Sequence, residues 1–188
     1  SLSNASLAGT ACATFTNHPG LSGSDNLLSS GCTGSVNMQN SAVNWSSLTD
    51  QDGSTAQPHI VQLDATSSLH LHRPINVSLS SAVLTSGAVI DVAWDLKVWV
   101  VNNFSNGVPN ANVNVTFSDF EPSVQLGTND LGYVNLPNFI GQRWTSSGAS
   151  AFNSVTVSCG YDSTANSTSA TLDQDLIVPC LLPLSNQA

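Results

Sequence analysis

The residues best suited to metal chemistry are His70 and His72, which are separated by one leucine. Side chains two positions apart on a β-strand share a face, so both imidazoles could bind one zinc or copper ion. Such a site needs a third ligand, and His59 or Asp64 on the preceding predicted strand would be the candidate. We favour the alternative, a solvent-facing strand surface, because Leu69 and Leu71 already supply the core side.

A calcium site is suggested by Asp50-Gln-Asp52-Gly53, which begins like a D-x-D-G loop. The later ligands and the terminal Glu of an EF-hand are missing, so only a looser surface site for calcium remains. Asp173 and Asp175 form another same-face pair. An ordinary turn stabilised by aspartate side chains explains Asp50 and Asp52 without a metal. We therefore expect no resident metal or other cofactor.

No pattern typical of catalysis occurs in the sequence. The nucleophile-elbow motif G-x-S-x-G is missing. Glu121 is the only Glu, which excludes a pair of Glu residues for glycoside hydrolysis, although not a pair of Asp residues. No glycine-rich phosphate loop follows a predicted strand. We therefore expect no enzymatic activity.

Four cysteines indicate disulfide bonds and an oxidising compartment. They are Cys12, Cys32, Cys159 and Cys180. Three connectivities are possible, and we favour Cys12–Cys32 with Cys159–Cys180, since each pair closes a short loop. Neither pair has the C-x-x-C spacing of redox or zinc motifs.

Six N-x-[ST] sequons are candidate N-glycosylation sites. They are Asn4, Asn44, Asn76, Asn103, Asn114 and Asn166. Alternation of apolar residues places Asn114 and Asn76 on the outer side of predicted strands, where a glycan would fit. The alternative is that Asn serves only as a turn and strand-edge residue. We expect N-linked glycans.

Charge limits the partners of this chain. Only 8% of residues are charged, and three Lys or Arg stand against twelve acidic residues, giving a formal net charge of -9. Arg73, Lys97 and Arg143 are too few to form the basic surface that nucleic acids or anionic membranes require. No apolar run approaches the roughly 20 residues of a membrane span. Because the chain also begins at Ser1 without Met, we expect a secreted protein at the cell surface that has lost a leader and does not insert into the membrane.

The elements that position these residues are predicted to be strands around one central strand, residues 88–101. Ile90, Val92, Trp94, Leu96, Val98 and Val100 alternate with Asp91, Ala93, Asp95 and Lys97, which predicts one buried and one mostly wet face. Val, Thr and Asn are common, which favours an all-β fold. Further strands are predicted at 59–64, 68–72, 75–84, 111–117, 133–136, 154–159 and 171–182.

Residues 1–86 are predicted to form a β-rich region that ends at Ser86-Gly87, with a second domain over 87–188. No tandem repeat of fixed period is visible. For the first region three interpretations stay open: extra strands, the remnant of a β-solenoid, or an arm that joins subunits. Residues 1–16 would be the arm, with an inserted row made of Leu7, Gly9, Ala11, Ala13 and Phe15.

From Trp94 onwards the sequence resembles a known type of module. A strand "WDLKVWVVN" is followed by "SNGVPNANVNVTF" and "GTNDLGYVNLP". These segments resemble the immunoglobulin-like and carboxypeptidase-regulatory-like β-sandwich modules of extracellular proteins. Gly107, Pro109 and Ala111 match the first turn of such modules, and Thr128, Asp130 and Gly132 match the second. The closing "NSVTVSCGY" and "LIVPCLLPL" resemble the final hairpin of such a module. The resemblance, over residues 88–183, implies an antiparallel, Ig-like or jelly-roll-like sandwich and a non-catalytic role.

We expect a glycosylated, disulfide-stabilised structural subunit of a cell-surface filament, such as a pilus, or of a layer. Copies of the chain would join by β-strand addition, as in donor-strand assembly. The alternative is a secreted carbohydrate-binding or adhesion module that binds surface glycans through Trp99 or Trp144, since an exposed indole can stack on a sugar ring.

Overall fold

In the computed structural model, residues 2–3, 6–9, 12–32, 35–50, 60–117 and 123–184 are described. These residues form β-strands and connecting turns without a helix, so the expected all-β fold class is confirmed. The described part accordingly contains no helix long and apolar enough to cross a membrane. Residues 1–93 with 142–150 form one compact unit, and residues 94–141 with 151–188 form another. The chain crosses between the two units after Ala93, Gly141 and Ser150, whereas the predicted boundary was Ser86-Gly87.

The strands are numbered in chain order. They are β1 Leu2–Ser3, β2 Ser6–Gly9, β3 Ala13–Thr16, β4 Leu21–Ser24, β5 Leu27–Cys32, β6 Ser35–Gln39, β7 Ala42–Ser46, β8 Thr49–Asp50, β9 Ile60–Leu63, β10 Ser68–His72, β11 Val83–Leu84, β12 Val89–Val101, β13 Asn112–Phe117, β14 Val124–Gly127, β15 Tyr133–Thr145, β16 Gly148–Ala151, β17 Ser154–Tyr161, β18 Thr164–Thr171 and β19 Leu176–Leu181.

Four sheets contain these strands. Sheet I has the order β1-β4-β7-β10-β12-β15-β16, and β19 also pairs with β12. Sheet II is β2-β5-β8, sheet III is β11-β9-β6-β3, and sheet IV is β14-β13-β17-β18.

The first unit is built from successive coils of chain. Strands that follow one another enter sheets I, II and III in turn, so each strand pairs in parallel with its counterpart one coil later. Leu2 lies beside Gly23, Leu21 beside Val43, Ala42 beside Ser68, and Ser68 beside Val89, so one coil takes 21 to 26 residues. Of the interpretations left open for residues 1–86, the β-solenoid is the one that this pairing matches.

Antiparallel pairing was expected for the module over residues 88–183, and in the first unit the described strand pairs between coils are instead parallel. The sequence showed no fixed period because the coil length changes from one turn to the next, which spoils a repeat at any single spacing.

One corner of the coil repeats in conformation although not in sequence. Asp25, Ser47 and Arg73 have φ of 51°, 55° and 55°, in the left-handed region that few non-glycine residues adopt. Each donates its backbone N–H to the following coil: Asp25 to the carbonyl of Ser46, Ser47 to that of His72, and Arg73 to that of Ala93. At each of these three positions the same type of backbone hydrogen bond stabilises the unfavourable left-handed conformation.

The core of this unit consists of rows of side chains stacked along the coils. Val43, Leu69 and Ile90 form one row, and Trp45, Leu71 and Val92 form the next. Gly23 continues the second row above Trp45, and a Cβ at Gly23 would collide with the indole. A glycine is therefore required where the largest side chain of the row needs space.

A buried hydrophobic cluster forms the core of the described part of the second unit. It is lined from sheet I by β12, β15 and β19, and from sheet IV by β13 and β17. Val98, Val113 and Val157 at its centre are fully buried. A disulfide between Cys159 on β17 and Cys180 on β19 joins the two sheets, which confirms that predicted pair.

The turn residues of the quoted motif have identifiable roles. The Thr128 hydroxyl is buried, donates to the Val108 carbonyl at 2.6 Å, and accepts the Ala111 N–H at 2.9 Å. Gly132 has a φ of 78°, and a Cβ there would lie 2.6 Å from the Val100 carbonyl oxygen. Thr128 and Gly132 thus fix the turns that enter β13 and β15.

Several predicted elements differ from those observed. Residues 75–84 contain a strand only at β11, because Asn76 adopts a left-handed φ of 57° that interrupts an extended run. The expected loop between β17 and the last strand is instead the strand β18, which pairs along all of β17. The expected final hairpin is wrong as well, because β19 pairs in parallel with β12.

Candidate functional site

The two histidines of the metal prediction lie on β10 with half-buried side chains, while Leu69 and Leu71 face the core as expected. His70 is in register with Asn44 on one side and Asp91 on the other. Asp91 is held by a bidentate ion pair with Arg143, at 2.6 and 2.7 Å. Within the described ranges no three His, Cys, Asp or Glu side chains are grouped to hold a metal.

Of the remaining ligand candidates, Asp50 and Asp64 are described, and they do not complete a site in the described part of the chain. Asp50 is 1% exposed, so it is a buried carboxylate and not part of a surface calcium loop. His59 and Asp52 lie outside the described residues.

Asp64 is instead bound at a corner of the coils. Its carboxylate accepts hydrogen bonds from the Ser67 hydroxyl at 2.7 Å, the Asn40 N–H at 3.0 Å and the Thr66 N–H at 3.1 Å. These bonds, that of Ser67 foremost, hold the pKa of Asp64 below its ordinary value of 3.8. Asp64, the candidate third metal ligand, therefore uses its carboxylate to connect one coil to the next.

A pH-dependent stability follows from this carboxylate. Since the folded protein binds the Asp64 proton less readily than the unfolded chain, its contribution is present above pH 3.8 and is lost as pH falls through the lower folded pKa. We expect Asp64→Asn to lower the free energy of unfolding clearly at about pH 7 and much less at about pH 3. Urea unfolding at both pH values measures this, and an equal difference at both would contradict the role of the charge.

Five of the six sequons have exposed asparagines, at Asn44, Asn76, Asn103, Asn114 and Asn166, and Asn4 lies outside the described residues. The alternation predicted around Asn114 is confirmed, since Val113 and Val115 are 0% and 1% exposed. Asn166 differs from the others because its amide nitrogen donates to the Leu181 carbonyl at 2.8 Å and so connects β18 to β19.

Cys12 is buried and disulfide-bonded. The side chain of Cys32, its predicted partner, is outside the described part of the structure, so the Cys12–Cys32 pairing stays a prediction.

Residues of the predicted subunit-joining arm pair within their own chain. Leu7 and Gly9 lie in β2 beside Leu28 and Cys32 of β5. Ala13 and Phe15 lie in β3, which pairs with β6 in the next coil, and Phe15 packs edge-to-face on Trp45. Ala11 lies outside the described residues. The described residues 2–3, 6–9 and 12–16 thus belong to a coil and not to a free arm.

An aromatic group lies on the outer face of the second unit. Trp99 points away from the core on β12 and stacks on Tyr133 of β15, with ring centroids 5.6 Å apart and planes inclined by 14°. The Lys97 ammonium lies 3.8 Å from the centre of the Tyr133 ring. We call Lys97, Trp99 and Tyr133 the aromatic group.

The neighbouring strand β19 extends this face with apolar side chains. Ile177 is in register with Lys97, Pro179 with Trp99, and Leu181 with Val101. Ile177 and Leu181 are 60% and 47% exposed, so β19 presents apolar side chains to solvent beside the aromatic group.

Sequence reasoning found Trp99 from its phase on β12, but it missed Tyr133 and the β19 residues. Alternation within β19 could not have identified its outward residues, because residues 176–182 are apolar at every position. Only the pairing of β19 with β12 shows which of them lie beside Trp99. Trp144 lies in the first unit, half-buried, with its indole N–H buried and unpartnered within the described residues. The structure therefore separates the two tryptophans into different compact units.

No protein-family model matches the chain, and the comparison with curated proteins finds no significant match. The functional argument accordingly rests on the geometry of the chain itself.

Proposed function

We propose that the protein is a non-catalytic structural subunit of an extracellular filament or layer, in which a solenoid of parallel coils is followed by a β-sandwich module. Copies associate by β-strand addition at the first coil. The observation that supports this most directly is the position of β1, β2 and β3, which stand at the end of sheets I, II and III among the described strands. An edge strand offers main-chain groups to which another strand can add.

The direction of these groups can be assigned in β3. The Asn17 N–H bonds to the Gln39 carbonyl at 3.0 Å, that is, towards the second coil. Because backbone N–H groups alternate in direction along a strand, those of Thr14 and Thr16 point to the opposite side, away from β6. The side chains of Thr14 and Thr16 are exposed, so they make no core contact that would prevent another strand from pairing at this edge. This edge replaces the expected insertion of residues 1–16 into a neighbour, since β1, β2 and β3 already pair with the next coil of their own chain.

Thr14→Pro tests the assembly. Proline removes the outward N–H of β3 and leaves the bonds between β3 and β6 in place. We expect the wild type and the matched Thr14→Val variant to sediment as polymers and Thr14→Pro as a monomer, at an unchanged melting temperature. Sedimentation velocity and circular dichroism measure these properties. Polymers of the Thr14→Pro variant, or a wild type that stays monomeric at every concentration, would overturn the proposal.

The extracellular setting is supported by two features of different origin. The Cys159–Cys180 disulfide and the bonded Cys12 suit an oxidising compartment. The exposed sequon asparagines are accessible to a glycosylating enzyme, and Asn114 stands on the outer row of sheet IV beside Gln125 and Ser158. N-linked glycans there would cover the sheet face and leave its core unchanged.

Carbohydrate binding at the aromatic group is the second candidate function. The stacked Trp99 and Tyr133 rings form a partly exposed π surface of the kind that packs on sugar rings. A glycan array that compares wild type with Trp99→Ala and with Gln125→Ala, an exposed control on sheet IV, tests it. Binding lost only in Trp99→Ala supports this candidate, and equal binding by all three excludes it.

A further inference from the structure

A groove of about 200 Å³ lies on the outer side of sheet III, in the first unit. Its lining includes Asn37 and Gln39 of β6, Gln62 of β9, Asp64, Val83 of β11 and Thr85. Asn37 is in register with Gln62, and Gln62 with Val83, so these residues form one row across three strands. Met38 and Leu63 also line the groove, but they are 1% and 3% exposed, so the side chains that its lining presents to solvent are those of the polar residues and Val83. The groove is therefore an outward surface and not a gap in the core.

Three side-chain amides in this groove have no hydrogen-bond partner among the described residues: those of Asn37, Gln39 and Gln62. Asp64, by contrast, already accepts hydrogen bonds from the Ser67 hydroxyl and from the Asn40 and Thr66 N–H groups. Each free amide offers two donor hydrogens and an acceptor oxygen, so neighbouring strands about 4.8 Å apart present repeated donor and acceptor pairs. The surface is thus equipped for a ligand that both donates and accepts hydrogen bonds at regular intervals.

The chemistry of the lining narrows the ligand class. The only charged side chain is a carboxylate, in a chain with a net charge of -9, which disfavours phosphate, sulfate and uronic-acid groups. Val83, 56% exposed, offers an apolar contact for the C–H face of a sugar ring at one end of the row. Vicinal hydroxyl groups match the paired donors and acceptors of the amides.

A peptide fits this surface less well. Extended peptides usually bind by adding to a sheet edge, where main-chain groups are free. The groove lies instead on the face of sheet III, and there the main-chain groups of β6 and β9 are used in pairing with each other. Only side chains are left to bind a ligand.

We propose that this groove binds a neutral oligosaccharide, whose hydroxyl groups bond to the amides of Asn37, Gln39 and Gln62. The site is separate from the aromatic group, which belongs to the other compact unit. It does not depend on the proposed assembly.

The test uses non-glycosylated, ¹⁵N-labelled protein titrated with neutral hexasaccharides of glucose, mannose or galactose. Side-chain amide signals of Asn37 and Gln62 should shift and saturate with at least one of them. Gln62→Ala should bind that sugar about tenfold more weakly. Gln125→Ala, a matched exposed glutamine on sheet IV, should bind like the wild type, and so should Trp99→Ala, which removes any contribution of the aromatic group.

Four outcomes would overturn the proposal. They are no saturable binding to any of the sugars, equal affinity in Gln62→Ala, loss of binding in Trp99→Ala alone, and shifts of these amides with a charged oligosaccharide or an extended peptide but not with a neutral sugar. Gln62 is exposed on β9, so its replacement leaves the core contacts of Val61 and Leu63 intact. An unchanged melting temperature of Gln62→Ala confirms that a loss of affinity arises in the groove.

Discussion

Replacement of Trp45 by Ala is expected to lower the free energy of unfolding by about 3–5 kcal/mol, the usual cost of truncating a large buried aromatic side chain. Trp45 is 1% exposed, lies in register with Gly23 and Leu71 of the adjacent coils, and packs edge-to-face on Phe15 at 5.4 Å. Phe15, Gly23 and Leu71 each belong to a different coil, so loss of the indole leaves a cavity bordered by residues of several coils. Urea unfolding followed by tryptophan fluorescence and circular dichroism measures the change.

Two variants serve as controls for Trp45. Trp45→Phe keeps an aromatic ring and gives up an indole N–H that has no partner within the described residues, so it should cost much less than the alanine variant. Gly23→Ala places a Cβ against the same indole and should destabilise by about 1–3 kcal/mol. If Trp45→Ala cost less than about 1 kcal/mol, or if Gly23→Ala were neutral, the stacked row of side chains would be wrong.

Removal of the Cys159–Cys180 disulfide is expected to cost about 3 kcal/mol. The bond closes a loop with a sequence separation of 21 residues, and a cross-link of that length restricts the unfolded chain by roughly this free energy. It also joins sheet I to sheet IV across the buried cluster of the second unit. The double variant Cys159→Ala/Cys180→Ala, compared with wild type in urea, measures the loss.

The control for this variant is the other pair of cysteines. A reducing agent should destabilise the double variant further, because Cys12 is disulfide-bonded in the first unit. Equal stability of the double variant and the oxidised wild type would show that the second unit does not depend on the cross-link. A double variant that is insensitive to reductant would contradict a disulfide at Cys12.

What could be predicted from the sequence came from alternation within single strands. The apolar face of β12 and the outward position of Asn114 follow from period two, and the structure confirms them, with Ile90, Leu96 and Val98 at most 1% exposed. The face of β12 that was predicted to be mostly exposed to solvent was predicted less well. Ala93 is fully buried and Asp91 is tied to Arg143, contacts that depend on strands distant in sequence.

The solenoid could not be predicted because its regularity resides in backbone conformation. The left-handed corner falls on Asp25, Ser47 and Arg73, three residue types with no common signature. The inward row places Gly23 opposite Trp45 and Leu71, so equivalent positions differ greatly in size and show no repeat. Parallel pairing one coil apart depends on these tertiary contacts and not on local preference.

The candidate surfaces could not be predicted from the sequence for the same reason. Tyr133 and Pro179 reach Trp99 only through the pairing of β15 and β19 with β12, and Asn37 reaches Gln62 only through the coil register. The histidine pair shows the opposite case. Its same-face position was correctly predicted, but the side chains that surround it do not complete a group of three ligands within the described ranges.

Electron microscopy of native, undenatured material, with an intact mass from the same sample, tests the proposed role most directly. We expect regular filaments or layers built from chains whose mass exceeds 19.5 kDa by attached glycans. Discrete monomers at that mass, over the full range of concentrations, would contradict a self-assembling glycosylated subunit.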